Sequence, residues 1–176
     1  VRCLDNVLDR SHFPLQAIKD NTALTRKIGL GIMGFADLLI HLGIPYNSDE
    51  ALAVAEELMG FIQAQAHEAS AQLARERGVF PAYRGSRLQS RRTRWRNATV
   101  TTIAPTGTIS IIADCSAGIE PLYGIHLVRT VMDGMTLSSL HPAFARHADR
   151  HGLALPSLQR ELEQSASIQH LTRLPA

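Results

Sequence analysis

Asn97-Ala-Thr-Val-Thr-Thr-Ile-Ala104 runs without a break into Pro105-Thr-Gly-Thr-Ile-Ser110. The first half is dense in β-branched side chains, the signature of a buried strand. The second half carries Pro105 and Gly107, and Ile109, Ile112 and Ala113 then suggest a short helix that Gly118 breaks. A strand feeding a helix through a glycine turn is an α/β arrangement. It also makes a candidate anion site, because a helix start offers N–H groups without intrahelical partners and the positive end of a dipole. Gly107 lets backbone come close to an anion, and Thr106, Thr108 and Ser110 add hydroxyl donors. No Gly-Lys-Ser/Thr follows, so the turn is not a P-loop. Spacing alone leaves an anion site and an N-capped turn as equal readings.

Outward from this stretch the chain is mostly helical. Val1, Leu4 and Leu8 fit one helical face in the segment up to Asp9. Pro14 suits the first turn of a helix running through Ile18 towards Arg26. Phe35 to Leu42 reads as a helix with Phe35, Leu38, Leu39 and Leu42 inward, stopped by Gly43 and Pro45. The longest helix spans Ser48 to Arg77, with Asn47 and Glu50 as a capping-box-like start. Ala51, Ala55, Leu58, Ile62, Ala66, Ala69 and Leu73 form its apolar stripe, which suits an outer helix packed on a sheet. Residues 80–96 read as a loop. Tyr123 to Met132 reads as a second strand, and Ser139 to His151 and Ser157 to Gln164 as surface helices.

The composition excludes several classes of protein. With 176 residues, 45% hydrophobic and 19% charged, the chain suits one compact domain or a large part of a bigger one, not a disordered polymer. A net charge of +2 does not make the whole molecule a polyanion binder. Arg84, Arg87, Arg91, Arg92, Arg94 and Arg96 do crowd one stretch, but only Tyr83 and Trp95 accompany them, so a solvated loop is preferred over a nucleic-acid footprint. Cys3 and Cys115 match no metal or redox spacing and read as reduced thiols of a cytoplasmic protein, one or both buried. No apolar run suggests a membrane span, and Val1 to Asp9 has no signal-peptide pattern. A start at Val1, inside an amphipathic segment, is expected of a piece of a longer chain.

Gly29-Leu-Gly-Ile-Met-Gly34 matches the dinucleotide fingerprint by letter, with Asp49 near the downstream acidic position. That fingerprint needs a strand before it, and Asn21 to Lys27 is polar and helix-like, so tight backbone packing is the preferred role for these glycines. The eight histidines form no paired-ligand spacing, His67-Glu68 sits on the long helix, and no metal site is expected. Glu120, before Pro121, reads as a structural carboxylate rather than a general base.

Five segments in order resemble the large subunits of ribonucleotide reductases, most closely the adenosylcobalamin-dependent class II enzymes. They are Leu4 to Asp9, Arg26 to Asp37, Arg96 to Ser110, Cys115-Ser-Ala-Gly-Ile-Glu-Pro121 and Ser167-Ile-Gln-His170. The likeness covers nearly the whole chain. It implies an α/β fold, a helix-rich fragment of a ten-stranded α/β barrel, with residues 1–176 a single partial domain from its C-terminal portion. It further implies conversion of ribonucleotides, as diphosphates, to 2′-deoxyribonucleotides by a radical mechanism. The implied cofactor is adenosylcobalamin, and the implied partners are the ribonucleotide, a thioredoxin-like or small-thiol reductant, the remainder of the reductase chain and a second copy in a homodimer. No nucleic acid or membrane partner is implied.

In that family a finger loop carries Asn-Pro-Cys-Gly-Glu, whose cysteine becomes the thiyl radical. The 176 residues contain no such motif. No catalytic residue is therefore assigned to this segment, neither Cys3 nor Cys115 inherits a radical role, and the chain alone is expected to be inactive. What the resemblance does assign is substrate-phosphate binding by Pro105, Thr106, Gly107, Thr108, Ile109 and Ser110. It also assigns Gly29 to Gly34 to the reductase pattern, with no dinucleotide role. Asp114 and Ala166 stand where relatives usually have glycine. Two other classes remain as alternatives: a nucleotide- or anion-binding module without catalysis, and an RNA-binding piece led by the arginine loop.

Overall fold

The computed structural model describes residues 1–131, 134–153, 161–162 and 168. Its elements are α1 (Arg2–Arg10), α2 (Gln16–Thr25), α3 (Phe35–Leu42), α4 (Asp49–Arg77), a 3-10 turn (Pro81–Tyr83), α5 (Arg87–Ser90), α6 (Gly107–Ile112), β1 (His126–Val131), β2 (Met135–Leu140) and α7 (Pro142–Arg150). Helix dominates. The expected Ser157 to Gln164 helix and the Ser167 to His170 segment lie outside the described residues, apart from positions 161, 162 and 168.

Two extended segments lie side by side at the centre. Ile28 N donates to Thr99 O at 3.2 Å, Leu30 N to Val100 O at 2.8 Å, and Thr102 N to Leu30 O at 3.0 Å, a parallel pairing with Leu30 opposite Thr101. The β-branched run is thus a strand edge, shorter than Asn97 to Ala104 suggests. The pairing explains the glycines: a Cβ on Gly29 would lie 2.5 Å from Thr102 Cγ2, and one on Gly31 2.6 Å from Thr102 O. Close backbone packing is their role. The fingerprint fails as the sequence suggests, because helix α2 and not a strand precedes it. The extended pairing runs through the first glycines themselves, so they do not form the turn after a strand.

The long helix lies against this pair as expected. Ala66 of α4 is buried with Ile28 and Val100, and Val1, Leu4 and Leu8 of the α1 segment close the same cluster. Further towards its start, Ala51 meets Phe35 and Leu39 of α3, with Leu58 half-buried beside them. Leu38 and Leu42 point outward instead of inward, so the buried face of α3 is Phe35, Ala36 and Leu39. The cap of α4 is also one residue later than the spacing suggests: Ser48 Oγ, not Asn47, accepts from Ala51 N at 3.1 Å. Pro14 lies outside α2, which begins at Gln16 after Leu15.

A buried polar knot holds α1, the end of α2, α4 and the central strand together. Asp5 Oδ1 accepts from Arg26 Nε and Asn97 Nδ2, each at 3.0 Å, and Oδ2 accepts from Arg77 Nη1 at 3.0 Å and Arg96 Nε at 3.4 Å. Ser70 Oγ donates to Asn97 Oδ1 at 3.0 Å. Burial pushes the Asp5 carboxyl towards its neutral form, but the Arg26 and Asn97 bonds and the Arg26 and Arg96 charges outweigh it and hold its pKa below the ordinary value.

The C-terminal part departs most from expectation. The strand expected over Tyr123 to Met132 is present in shorter form as β1, and it pairs antiparallel with the unexpected β2, from His126 opposite Leu140 to Val131 opposite Met135. Only Ser139 and Leu140 of β2 fall where a helix was expected. The helix starts only at Pro142. Phe144 and Ala148 of α7 pack with Leu162, Ile125 and Leu140. In the loop over residues 80–96 the backbone makes two single helical turns, and Arg96 belongs to the polar knot.

Candidate functional site

At Thr106 the extended run ends. Its φ of 53° is left-handed, and from there the chain turns into α6. Ser110 N donates to Thr106 O at 2.9 Å, which starts the helix. The N–H groups of Gly107, Thr108 and Ile109 have no acceptor among the described residues, as the first turn of a helix dictates. Thr106 Oγ1 accepts from Gly118 N at 2.7 Å, leaving its own proton available. Thr108 is exposed. Ser110 is buried, and its hydroxyl donates to Gly107 O at 3.2 Å. Its proton is therefore used inside the turn, while Pro105, Gly107 and Ile109 are exposed.

Gly107 differs from the other glycines near the centre. A Cβ there would meet nothing within 4 Å, and its φ is not in the left-handed region. At Gly118, by contrast, φ is 50° and a Cβ would lie 2.7 Å from Ala104 O. The fold itself needs glycine at 118, not at 107.

Beside the turn is a cavity of about 420 Å³, lined among others by Pro105, Gly107, Ser110, Asp37, Cys115 and His141. This volume falls in the range of small-molecule sites. Asp37, which spacing did not single out, organises the far wall. Its Oδ2 accepts from Ser116 N at 2.6 Å and its Oδ1 from His141 Nε2 at 2.7 Å. Burial favours the neutral acid, but the Ser116 N–H and the His141 ring overcome it and keep the Asp37 pKa below the ordinary carboxylate value. The Ser116–Gly118 segment in turn caps α3, through Gly34 N to Ser116 O at 2.8 Å and Phe35 N to Gly118 O at 3.4 Å.

Other candidates are placed less suggestively. Cys115 is half-buried, and burial with the Asp37 and Asp114 carboxylates pushes its thiol pKa up, the opposite of an activated thiol. Cys3 is exposed and Cys115 only half-buried, so neither thiol is buried as expected. Asp114 has a φ of 51°, which explains why a glycine suits that position and why aspartate, tolerant of left-handed backbone, can replace it. It is Asp114 and not Gly118 that lies just beyond the end of α6. Glu120 accepts from the Tyr123 hydroxyl at 3.0 Å, a structural bond. Arg84, Arg87, Arg91, Arg92 and Arg94 are exposed. His67 stacks on Trp95 with ring centroids 4.0 Å apart. No described group of three or more His, Cys, Asp or Glu side chains could hold a metal, and no described helix is long and apolar enough to cross a membrane.

The family model for the ribonucleotide reductase barrel domain matches residues 1–176. The chain belongs to this family. Among relatives of the reductase barrel segment, the vitamin B12-dependent ribonucleoside-diphosphate reductase of Thermoplasma acidophilum is 48% identical over 170 residues, covering 97% of this chain and 22% of that protein. The enzyme of the same name from Mycobacterium tuberculosis is 47% identical over 176 residues, covering all of this chain and 25% of the relative. The chain thus spans about a quarter of these relatives' length. In fold, it is similar to the Actinobacillus ureae class Id ribonucleotide reductase alpha subunit, with a TM-score of 0.76 at 22% identity over 98% of this chain and 30% of that one. A helix-rich piece of a barrel domain agrees with the central parallel pair and the helices packed on it.

Proposed function

We propose that this segment forms the substrate-phosphate grip of a ribonucleoside-diphosphate reductase, within a ten-stranded α/β barrel that the rest of the protein completes. Gly107 carries the reading. Nothing in the fold demands glycine there, whereas a ligand approaching the N–H groups of Gly107, Thr108 and Ile109 would. Those donors, with the hydroxyls of Thr106 and Thr108, bind and orient the diphosphate, and Pro105 and Ile109 flank the turn. Ser110 acts from beneath, its hydroxyl bracing Gly107 O. Each charge-assisted bond is worth about 1.5–3 kcal/mol.

The relatives' names support vitamin B12-dependent reduction of ribonucleoside diphosphates, and the family resemblance in the sequence suggests the rest of the proposal. The complete protein would reduce ribonucleoside diphosphates at the 2′ carbon by radical chemistry in the cytoplasm, with adenosylcobalamin as radical source, a thioredoxin-like or small-thiol reductant, and a homodimer as the assembly. The described cavities, about 420 to 690 Å³, suit a ligand of drug size and not a corrin several times larger. The cofactor's contacts are proposed to lie in the remainder of the reductase chain. With no Asn-Pro-Cys-Gly-Glu in its sequence, the 176-residue chain is proposed to be inactive alone.

The test is Gly107→Val in the complete reductase. Substrate KM should rise about tenfold for every 1.4 kcal/mol of grip lost, with cobalamin affinity unchanged. An unchanged KM would remove the phosphate role, and loss of cobalamin affinity alone would place the turn at the other ligand.

A further inference from the structure

We infer that His141 is a positioning residue for the phosphate turn, acting through Asp37 and the Ser116–Gly118 segment. The inference rests on the phosphate reading of residues 105–110. Four bonds make the path. His141 Nε2 donates to Asp37 Oδ1 at 2.7 Å, and Ser116 N donates to Asp37 Oδ2 at 2.6 Å. Gly118 N, two residues on, donates to Thr106 Oγ1 at 2.7 Å, and Thr106 O accepts the bond from Ser110 N that starts α6. Every residue on the path before Thr106 is well shielded: His141 is 8% exposed, Ser116 7%, and the Asp37 side chain 21%.

The tautomer is assigned by the bonding. His141 Nδ1 accepts from Ala143 N at 3.3 Å, so Nε2 bears the proton that goes to Asp37. One ring thereby caps α7 with one nitrogen and fixes the Asp37 carboxylate with the other. Two backbone donors depend on the result. Asp37 takes Ser116 N on one carboxylate oxygen and His141 Nε2 on the other, and Ser116–Gly118 must stay in place for Gly118 N to reach Thr106. Thr106 itself sits at a φ of 53°, a conformation that a non-glycine residue keeps only when its surroundings hold it. The His141 ring also lines the cavity beside Gly107, so its position reports on the site from both sides.

Two substitutions separate positioning from simple support. His141→Asn keeps an acceptor for Ala143 N and loses the reach to Asp37. His141→Gln places an amide N–H near Nε2 and keeps the Asp37 bond. The experiment is calorimetric binding of cytidine diphosphate and of cytidine to the complete, cobalamin-free reductase, for both variants and Gly107→Val, with Tm recorded for each. The expected result is a cytidine diphosphate Kd about tenfold weaker in His141→Asn and within about twofold of wild type in His141→Gln, with cytidine affinity unchanged in both. Equal losses in the two variants, or a loss shared by cytidine, would overturn the inference. If Gly107→Val weakens diphosphate binding and His141→Asn does not, the positioning role fails while the phosphate grip stands. If Gly107→Val leaves binding unchanged, the grip fails and the inference with it.

Discussion

Asp37 and Ser116, 79 positions apart, cap each other: Ser116 N donates to Asp37 Oδ2 at 2.6 Å, and Asp37 N donates to Ser116 Oγ at 3.4 Å. This is the reciprocal geometry of a capping box, with the two partners drawn from separate segments instead of four consecutive residues. Ser116→Ala removes one half. In the complete reductase it should cost about 0.5–2 kcal/mol, the range for loss of an N-cap hydroxyl, measured as a shift of the denaturant midpoint. An unmoved midpoint would mean that the backbone carbonyls of Ser116 and Gly118 cap α3 sufficiently by themselves.

The acid side of the stability profile follows from Asp5 and Asp37. Both carboxyls have folded-state pKa values below their ordinary ones. Their stabilisation is therefore fully present above the unfolded value of about 3.9 and is lost as pH falls through the lower folded value. Thermal midpoints between pH 7 and pH 3 should drop most steeply below about pH 4. Asp37→Asn, which cannot ionise, should flatten that drop. An equal slope in the variant would contradict the assignment.

Side-chain depth along α4 predicts unequal costs of truncation. Leu73 is 1% exposed, while Leu58 is only half-buried. Leu73→Ala should cost about 2–5 kcal/mol, and Leu58→Ala should fall at or below the bottom of that range. Chemical denaturation of both variants checks the order, and a larger loss at Leu58 would reverse the inner face assigned to the helix.

Two glycines should respond oppositely to the same added methyl. Gly31→Ala forces a Cβ to 2.6 Å from the Thr102 carbonyl, so the parallel pair must open. Gly107→Ala meets open space. Soluble yield and Tm should fall for the first and hold for the second. A stable Gly31→Ala would show that the two strands can slide apart without loss.

How much of this was legible in the sequence depends on the range of the signal. Helices α3 and α4 appear where their apolar periods put them, because three- and four-residue spacing is local. The α4 cap slips by one residue because Asn47 and Ser48 are both good N-caps, and only the Ala51 bond chooses between them. The hairpin was hidden because Met135-Thr-Leu-Ser-Ser-Leu140 has no strong β-branched run, and Ser139 resembles the start of a helix that begins three residues later. The turn at Thr106 and Gly107, proposed to grip phosphate, was visible as a strand, a glycine and hydroxyls in order. Its far wall was not: Asp37 meets His141 across 104 positions, and the Asp5 knot meets Asn97 across 92, with no spacing rule to announce either. Ser110 shows the complementary limit. Residue type marks it as a donor, but only burial shows that its proton is already bonded to Gly107 O.

The most direct test of the central claim is the affinity difference between cytidine diphosphate and cytidine on the complete reductase, compared between wild type and Gly107→Val. The two ligands differ only in the phosphates, and a Cβ at position 107 meets nothing within 4 Å beyond its chain neighbours and its own helix backbone. If the turn at Gly107 grips phosphate, wild type prefers the diphosphate by a wide margin and Gly107→Val loses about tenfold or more of that preference while its cytidine affinity stays put. A preference of undiminished size in Gly107→Val would contradict the account, and the phosphate would have to be held elsewhere in the barrel.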